Sequence, residues 1–257
     1  MAVLQLRVSH AQVDIGKTHI ASYNHNFERI KKVPIIYHDT LKADLYYPLK
    51  HRKKGLLPCV ILVSGFDKFN FRKGQSYIDW CRQLALKGVL GVVYETREPS
   101  RDFDALLAFL IRESLSLGID TARIGTWSCS ANSLLAINKA NEHESIRCQV
   151  IYYGLTVTSA STRLAEVKRM CDDHGIAYFI SGNYTSSKPT FIVRAGKDSW
   201  DLIQDSIREF IFQLFKVNAY LEVVNYENGQ HSFDALDHSE LSKNIIGRTI
   251  DFYLASM

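Results

Sequence analysis

The sequence predicts an α/β fold, a doubly wound and mostly parallel sheet flanked by helices, and three observations carry that expectation. From about residue 58 onward, short β-branched or aliphatic runs succeed one another at residues 60–63, 89–94, 124–127, 150–153, 191–193 and 221–224. Most are apolar without interruption, as strands covered on both faces are, rather than alternating. The stretches between them place apolar residues at intervals that suit a helical period, and strand–helix alternation of this kind builds parallel sheets. At 257 residues, with 46% apolar and 23% charged residues, the chain fits a single domain that buries its own core.

Taken in order, residues 1–57 mix polar and apolar side chains and read as N-terminal edge strands. Within them LKADLYYP at 41–48 alternates well enough for an antiparallel strand on the sheet edge, and KHRKKG at 50–55 is a basic, solvated turn. Past the first buried strand, Ser76 is placed to cap a helix carrying Ile78, Cys81 and Ala85. A second helix starts near Asp102 and carries Phe103, Leu106, Leu107 and Leu110. Residues 156–188 are rich in Ser and Thr at both ends; they hold a helix over about 161–174 and make a small cap, not a lid domain. Ile203, Ile207, Phe210 and Leu214 form the stripe of a third helix, and His238 falls at the start of the last one. There is no internal repeat and no low-complexity tract.

Composition excludes several classes of function. Thirty-one basic against 27 acidic residues leave a net charge of +4, too mild and too dispersed to announce a nucleic-acid partner. The five cysteines (Cys59, Cys81, Cys129, Cys148 and Cys171) are odd in number and scattered, with no C-x-x-C pair. Neither a disulfide framework nor a metal site is expected, and a reducing compartment is. The first residues lack a basic stretch followed by an apolar core, and no apolar run approaches the ~20 residues of a membrane span. The expectation is a cytoplasmic protein without membrane contact or cofactor, with a homodimer left open.

RIGTWSCSANSLLAI at 123–137 is the informative stretch. A buried strand runs into Ser128-Cys129-Ser130-Ala131-Asn132 and then a helix, the setting of a nucleophile elbow, whose usual form is G-x-S-x-G. The central serine is strained there, so bulk two residues before or after it would clash. Ser128 is small; Asn132 departs from the pattern, though asparagine tolerates unusual backbone angles. Shifting the elbow back to Cys129 would put Trp127 at the tight preceding position, so Ser130 is the candidate and Cys129 its neighbour. A serine hydroxyl needs an adjacent base. Downstream, Asp198 follows the strand in KPTFIVRAGKDSW, and His231 follows the strand in YLEVVNYENGQHSFD. Ser, Asp and His in that order, each past the carboxyl end of a strand, is a triad arrangement. Asp201 and Asp205 compete with Asp198 but fall inside a helix; His238 competes with His231, and His174 falls on the cap helix.

Over residues 33–257 the chain resembles an α/β-hydrolase of the dienelactone hydrolase-like and esterase branch. The resemblance rests on PCVILVSGFD (58–67), LALKGVLGVVYETREP (84–99), SLGIDTARIGTWSCSANS (116–133), PTFIVRAGKD (189–198) and NGQHSFD (228–234). It implies an eight-stranded sheet with a minimal cap, Ser130 as nucleophile, His231 as general base and Asp198 as acid. The elbow lacks both glycines, and Ser64-Gly65 stands where the family usually has His-Gly. Dienelactone hydrolases proper use a cysteine nucleophile, so that substrate does not carry over. The backbone N–H groups of Phe66 and Ala131 are the expected oxyanion donors, and Phe69, Phe71, Trp127 and Trp200 the expected pocket wall. Lys68, Arg72 and Arg97 read first as solvated surface charge and only second as groups that would favour an anionic substrate. The implied activity is a serine hydrolase acting on a small to medium carboxylic ester or thioester through an acyl-enzyme. An acyltransferase, a peptidase or a catalytically silent binding protein would share these features.

Overall fold

The computed structural model describes residues 17–22, 24–49, 55–66, 69–173 and 184–257. Lys68, His174, most of the basic turn (50–54) and the first sixteen residues lie outside the described residues. In chain order the strands are Lys31–His38 (β1), Leu41–Tyr47 (β2), Leu57–Leu62 (β3), Leu90–Tyr94 (β4), Ile119–Cys129 (β5), Ile146–Tyr152 (β6), Thr190–Ala195 (β7) and Leu221–Tyr226 (β8). The helices are Gln75–Leu86 (α1), Pro99–Arg112 (α2), Ser114–Leu117 (α3), Ser133–Glu142 (α4), Leu164–Asp173 (α5), Asp201–Lys216 (α6), Phe233–Leu236 (α7) and Glu240–Ser256 (α8).

The eight strands of the described residues join one sheet in the order β1-β2-β4-β3-β5-β6-β7-β8. Every pairing is parallel except the two made by β2. With helices on both faces, this is the α/β-hydrolase fold. Alternation along the central strands splits the core: Val60 and Leu62 face α1 and α8 together with Trp80, Tyr152 and Ile250, whereas Cys59 and Ile61 face α2 and α4 with Leu106 and Leu135. α6 covers the same face as α4 farther along, and Ile203, Ile207, Phe210 and Leu214 of the predicted stripe are all fully buried.

Three local expectations are corrected. The strand predicted at 41–48 forms, but β1 lies outside it and is the true edge. Most of β1 is exposed or half-buried, and Pro34 has no N–H for a ladder, so the strand carries little apolar signal. Ser76 does not cap α1: the cap position belongs to Gly74, and Ser76 sits in the first turn. α2 starts at Pro99, whose ring pre-sets the first helical turn. Asp102 secures that start from within, its Oδ2 accepting from the N–H groups of Arg97 (2.7 Å) and Glu98 (2.8 Å). Among the described residues, no helix is long and apolar enough to cross a membrane.

Candidate active site

β5 ends at Cys129, and the chain passes through the 3-10 turn Ser130–Asn132 into α4. At Ser130 φ is +51°, a left-handed conformation that costs a non-glycine residue about 1–3 kcal/mol. The elbow is therefore present without either glycine. Ser128, two residues earlier, is fully buried, its Oγ bonded to Ser133 Oγ (3.1 Å) and donating to the Val150 carbonyl (3.3 Å). Asn132 has φ −62° and ψ −17°, ordinary helical backbone, so tolerance of unusual angles is not why asparagine stands there. The strain sits at Ser130 itself. Cys129 Sγ lies 3.5 Å from the Tyr77 hydroxyl, and burial pushes its thiol up to about 12, which keeps it protonated.

Asp198 and His231 are brought together by two loops laced to each other. Gly196 N–H donates to the Tyr226 carbonyl (2.7 Å) and Lys197 N–H to the Gly229 carbonyl (2.8 Å). The approach is so close that a Cβ on Gly196 would stand 2.2 Å from the Glu227 carbonyl oxygen. Beyond this lacing, Asp198 Oδ2 meets His231 Nδ1 at 2.6 Å, and Asp198 Oδ1 accepts the Trp200 N–H at 3.1 Å. The carboxylate is almost wholly buried, and the imidazole is 17% exposed. With the Nδ1 proton directed at Asp198, Nε2 is left as the acceptor. The competitors are placed elsewhere. Asp201 opens α6, Asp205 pairs with Arg163 and Arg208, and His238 is exposed ahead of α8.

A buried polar cluster lies behind the imidazole. The Tyr153 ring packs against His231 with centroids 4.6 Å apart, and its hydroxyl donates to Asp234 Oδ1 at 2.6 Å. Trp80 Nε1 donates to the other oxygen at 2.8 Å. Burial raises the Asp234 carboxyl above the usual carboxylate range, although these two donors and the nearby His231 oppose it. Leu155 N–H donates to the Ser130 carbonyl at 2.9 Å, so one stretch after β6 touches both the elbow and the imidazole. Of the five non-glycine residues with positive φ among the described residues, Ser130, Tyr153 and Ser232 border this site. Among the described residues no hydrogen bond joins Ser130 Oγ to His231 Nε2; contacts of this kind tighten when substrate is engaged.

Two further expectations are revised. Gly65, at φ +143°, turns the chain after β3, and Tyr94 clamps Ser64 by accepting its N–H (3.2 Å) and donating to its carbonyl (3.0 Å). Phe66 N–H is then directed at Asn132 Oδ1, 2.9 Å away, rather than left open for an oxyanion. Ala131 N–H heads the 3-10 turn, among the groups a helix start leaves without an internal partner. Trp127 is no pocket wall: it is 1% exposed and packs among Tyr77, Trp80 and Tyr152. Phe71 is buried against Tyr77, while Phe69, edge-on to Phe71, is partly exposed. Trp200 meets the site through its N–H, its ring packing on the α4–α6 core.

Arg72 is consumed by ion pairs with Asp44 and Glu95, both at 2.9 Å, and Arg97 is exposed. The described residues hold one group of metal-ligating type, Asp104, Glu142 and His143, and Lys139 Nζ already bridges its two carboxylates.

No protein-family model and no curated protein matches the chain. Solved structures do match. An esterase from Thermogutta terrifontis superposes with a TM-score of 0.71 at 16% identity, covering 94% of this chain and 96% of its own. An esterase from Pyrobaculum calidifontis gives 0.67 at 18%, covering 89% and 87%. The esterase LipW from Mycobacterium marinum gives 0.67 at 15%, covering 88% and 82%. At such identities the likeness establishes the fold.

Proposed function

We propose that this protein is a serine hydrolase that cleaves small to medium carboxylic esters through an acyl-enzyme on Ser130. The observation that carries the reading is the Asp198–His231 contact at 2.6 Å, with Nε2 left to accept, together with a serine at φ +51° on an elbow. The carbonyl of that serine is bonded by Leu155, two residues past the tyrosine that packs on His231. Ser130 Oγ attacks the ester carbonyl carbon while His231 Nε2 takes its proton, and Asp198 holds the tautomer and stabilises the imidazolium. The negative charge on the tetrahedral oxygen falls beside the Ala131 N–H. His231 then returns the proton to the departing alkoxide, and water, deprotonated by the same nitrogen, releases the acid. Similarity to proteins named as esterases favours esters over thioesters and favours the esterase part of the resemblance over the dienelactone part.

A silent, ligand-binding version of the fold is the second reading, favoured by the engagement of the Phe66 N–H with Asn132. A fluorophosphonate probe separates the two. The native protein is expected to label, Ser130→Ala and His231→Ala to lose labelling, and Cys129→Ser to keep it. A folded native protein that never labels, or labelling that survives Ser130→Ala, would sink the hydrolase reading.

A further inference from the structure

Asn132 occupies the place where the elbow pattern has its second glycine, and its backbone gives no reason for the choice. Its side chain does. A main-chain N–H can only donate, so the atom 2.9 Å from Phe66 N is the carbonyl oxygen Oδ1 and the amide orientation is settled. The other end, Nδ2, donates to the Tyr77 hydroxyl at 3.0 Å. Asn132 is 4% exposed and Tyr77 2%, so the buried carboxamide is held between a buried hydroxyl and the half-buried Phe66 amide.

We propose that Asn132 is a positioning residue that holds the Phe66 amide off the oxyanion, leaving the site to work with one main-chain donor, Ala131. This inference rests on the hydrolase reading above. An oxyanion, being charged, attracts the Phe66 N–H more strongly than a neutral carbonyl does. Taking it, however, strands Oδ1 in a buried place with no donor, and that penalty cancels much of the gain. The consequence is a substrate class. A half-strength oxyanion hole suits esters whose leaving group is already good, such as aryl esters, and handicaps alkyl esters, whose reaction leans harder on oxyanion stabilisation.

The experiment compares kcat and KM of the native protein, Asn132→Ala and Asn132→Asp on a p-nitrophenyl ester and on an ethyl ester of the same acid. Deleting one oxyanion donor elsewhere costs about a hundred- to a thousandfold in kcat, so partial recovery in Asn132→Ala is expected at roughly ten- to a hundredfold. KM should change little, and the gain should be larger on the ethyl ester. Asn132→Asp keeps the acceptor, charges it and is near-isosteric; it should fall below native and reads the same balance if the alanine variant fails to fold. A folded Asn132→Ala whose kcat equals or trails that of an active native protein overturns the inference and leaves the hydrolase reading standing. A silent native protein with an active Asn132→Ala supports the inference in its strongest form. Silence in both removes the two together.

Discussion

Ser130, Asp198 and His231 each stand just beyond a strand end, where residue type and local pattern were enough to single them out. The groups that surround them were not legible in that way. Tyr153 follows β6 in a conformation (φ +36°) that nothing in the string of letters marks, and its partner Asp234 lies 81 residues on. Tyr153→Phe isolates what that hydroxyl does, because the ring against His231 is kept. Removing a hydrogen bond to a buried charged acceptor is expected to cost about 1.5–3 kcal/mol. The sign with pH follows from the direction of the Asp234 shift. Its folded carboxyl is raised, so stability is fullest below the ordinary carboxylate range and is lost as pH rises through the raised value. Tyr153 stabilises the ionised form, so its loss moves that value up again. Urea unfolding should find the variant close to native at acidic pH and progressively weaker toward neutrality; a pH-independent deficit would refute the assignment.

At the scale of elements, the site depends on loops tied to neighbouring strands. The turn after β7 and the turn after β8 are stitched by backbone hydrogen bonds, which is why Asp198 and His231 meet. The loop after β3 is fastened from its far end, where Arg72 Nη1 reaches Asp44 on β2 at 2.9 Å and Nε reaches Glu95 past β4 at 3.0 Å. Asp44 is only 2% exposed. Removing one partner of a buried pair costs about 3–5 kcal/mol, and here only the exposed Lys32, 3.7 Å from the other oxygen, would remain to offset the Asp44 charge. Arg72→Met is accordingly expected to lose about 3 kcal/mol in chemical denaturation, and a change within ordinary surface-substitution scatter would contradict the account. From the sequence, Arg72 reads as solvated surface charge, with a substrate-binding charge as the lesser alternative. Only β2 and β4, brought alongside by pairing, reveal that its guanidinium is already spent.

Across the whole molecule, the aromatic residues Tyr77, Trp80, Trp127, Tyr152 and Phe233 form a continuous layer beneath the site. Trp127 sits inside it and not on a pocket wall. Trp127→Ala should therefore destabilise the fold by about 3–5 kcal/mol. Thermal and urea unfolding check this; altered ester preference with unchanged stability would restore the pocket role.

The sequence by itself determined the strand–helix alternation, the buried character of the central strands, the elbow register at Ser130 and the order of the three candidate residues. These are properties of neighbours along the chain, where hydrophobic period and small-residue spacing act directly. Only the tertiary structure decided that β1 is the edge, that Trp127 is core, that Asn132 engages the Phe66 amide 66 residues away, and that Trp80 and Tyr153 converge on Asp234. A hydrogen bond between side chains far apart in sequence leaves no periodic trace, because its partners are set by how sheet and helices pack rather than by what stands beside them in the chain.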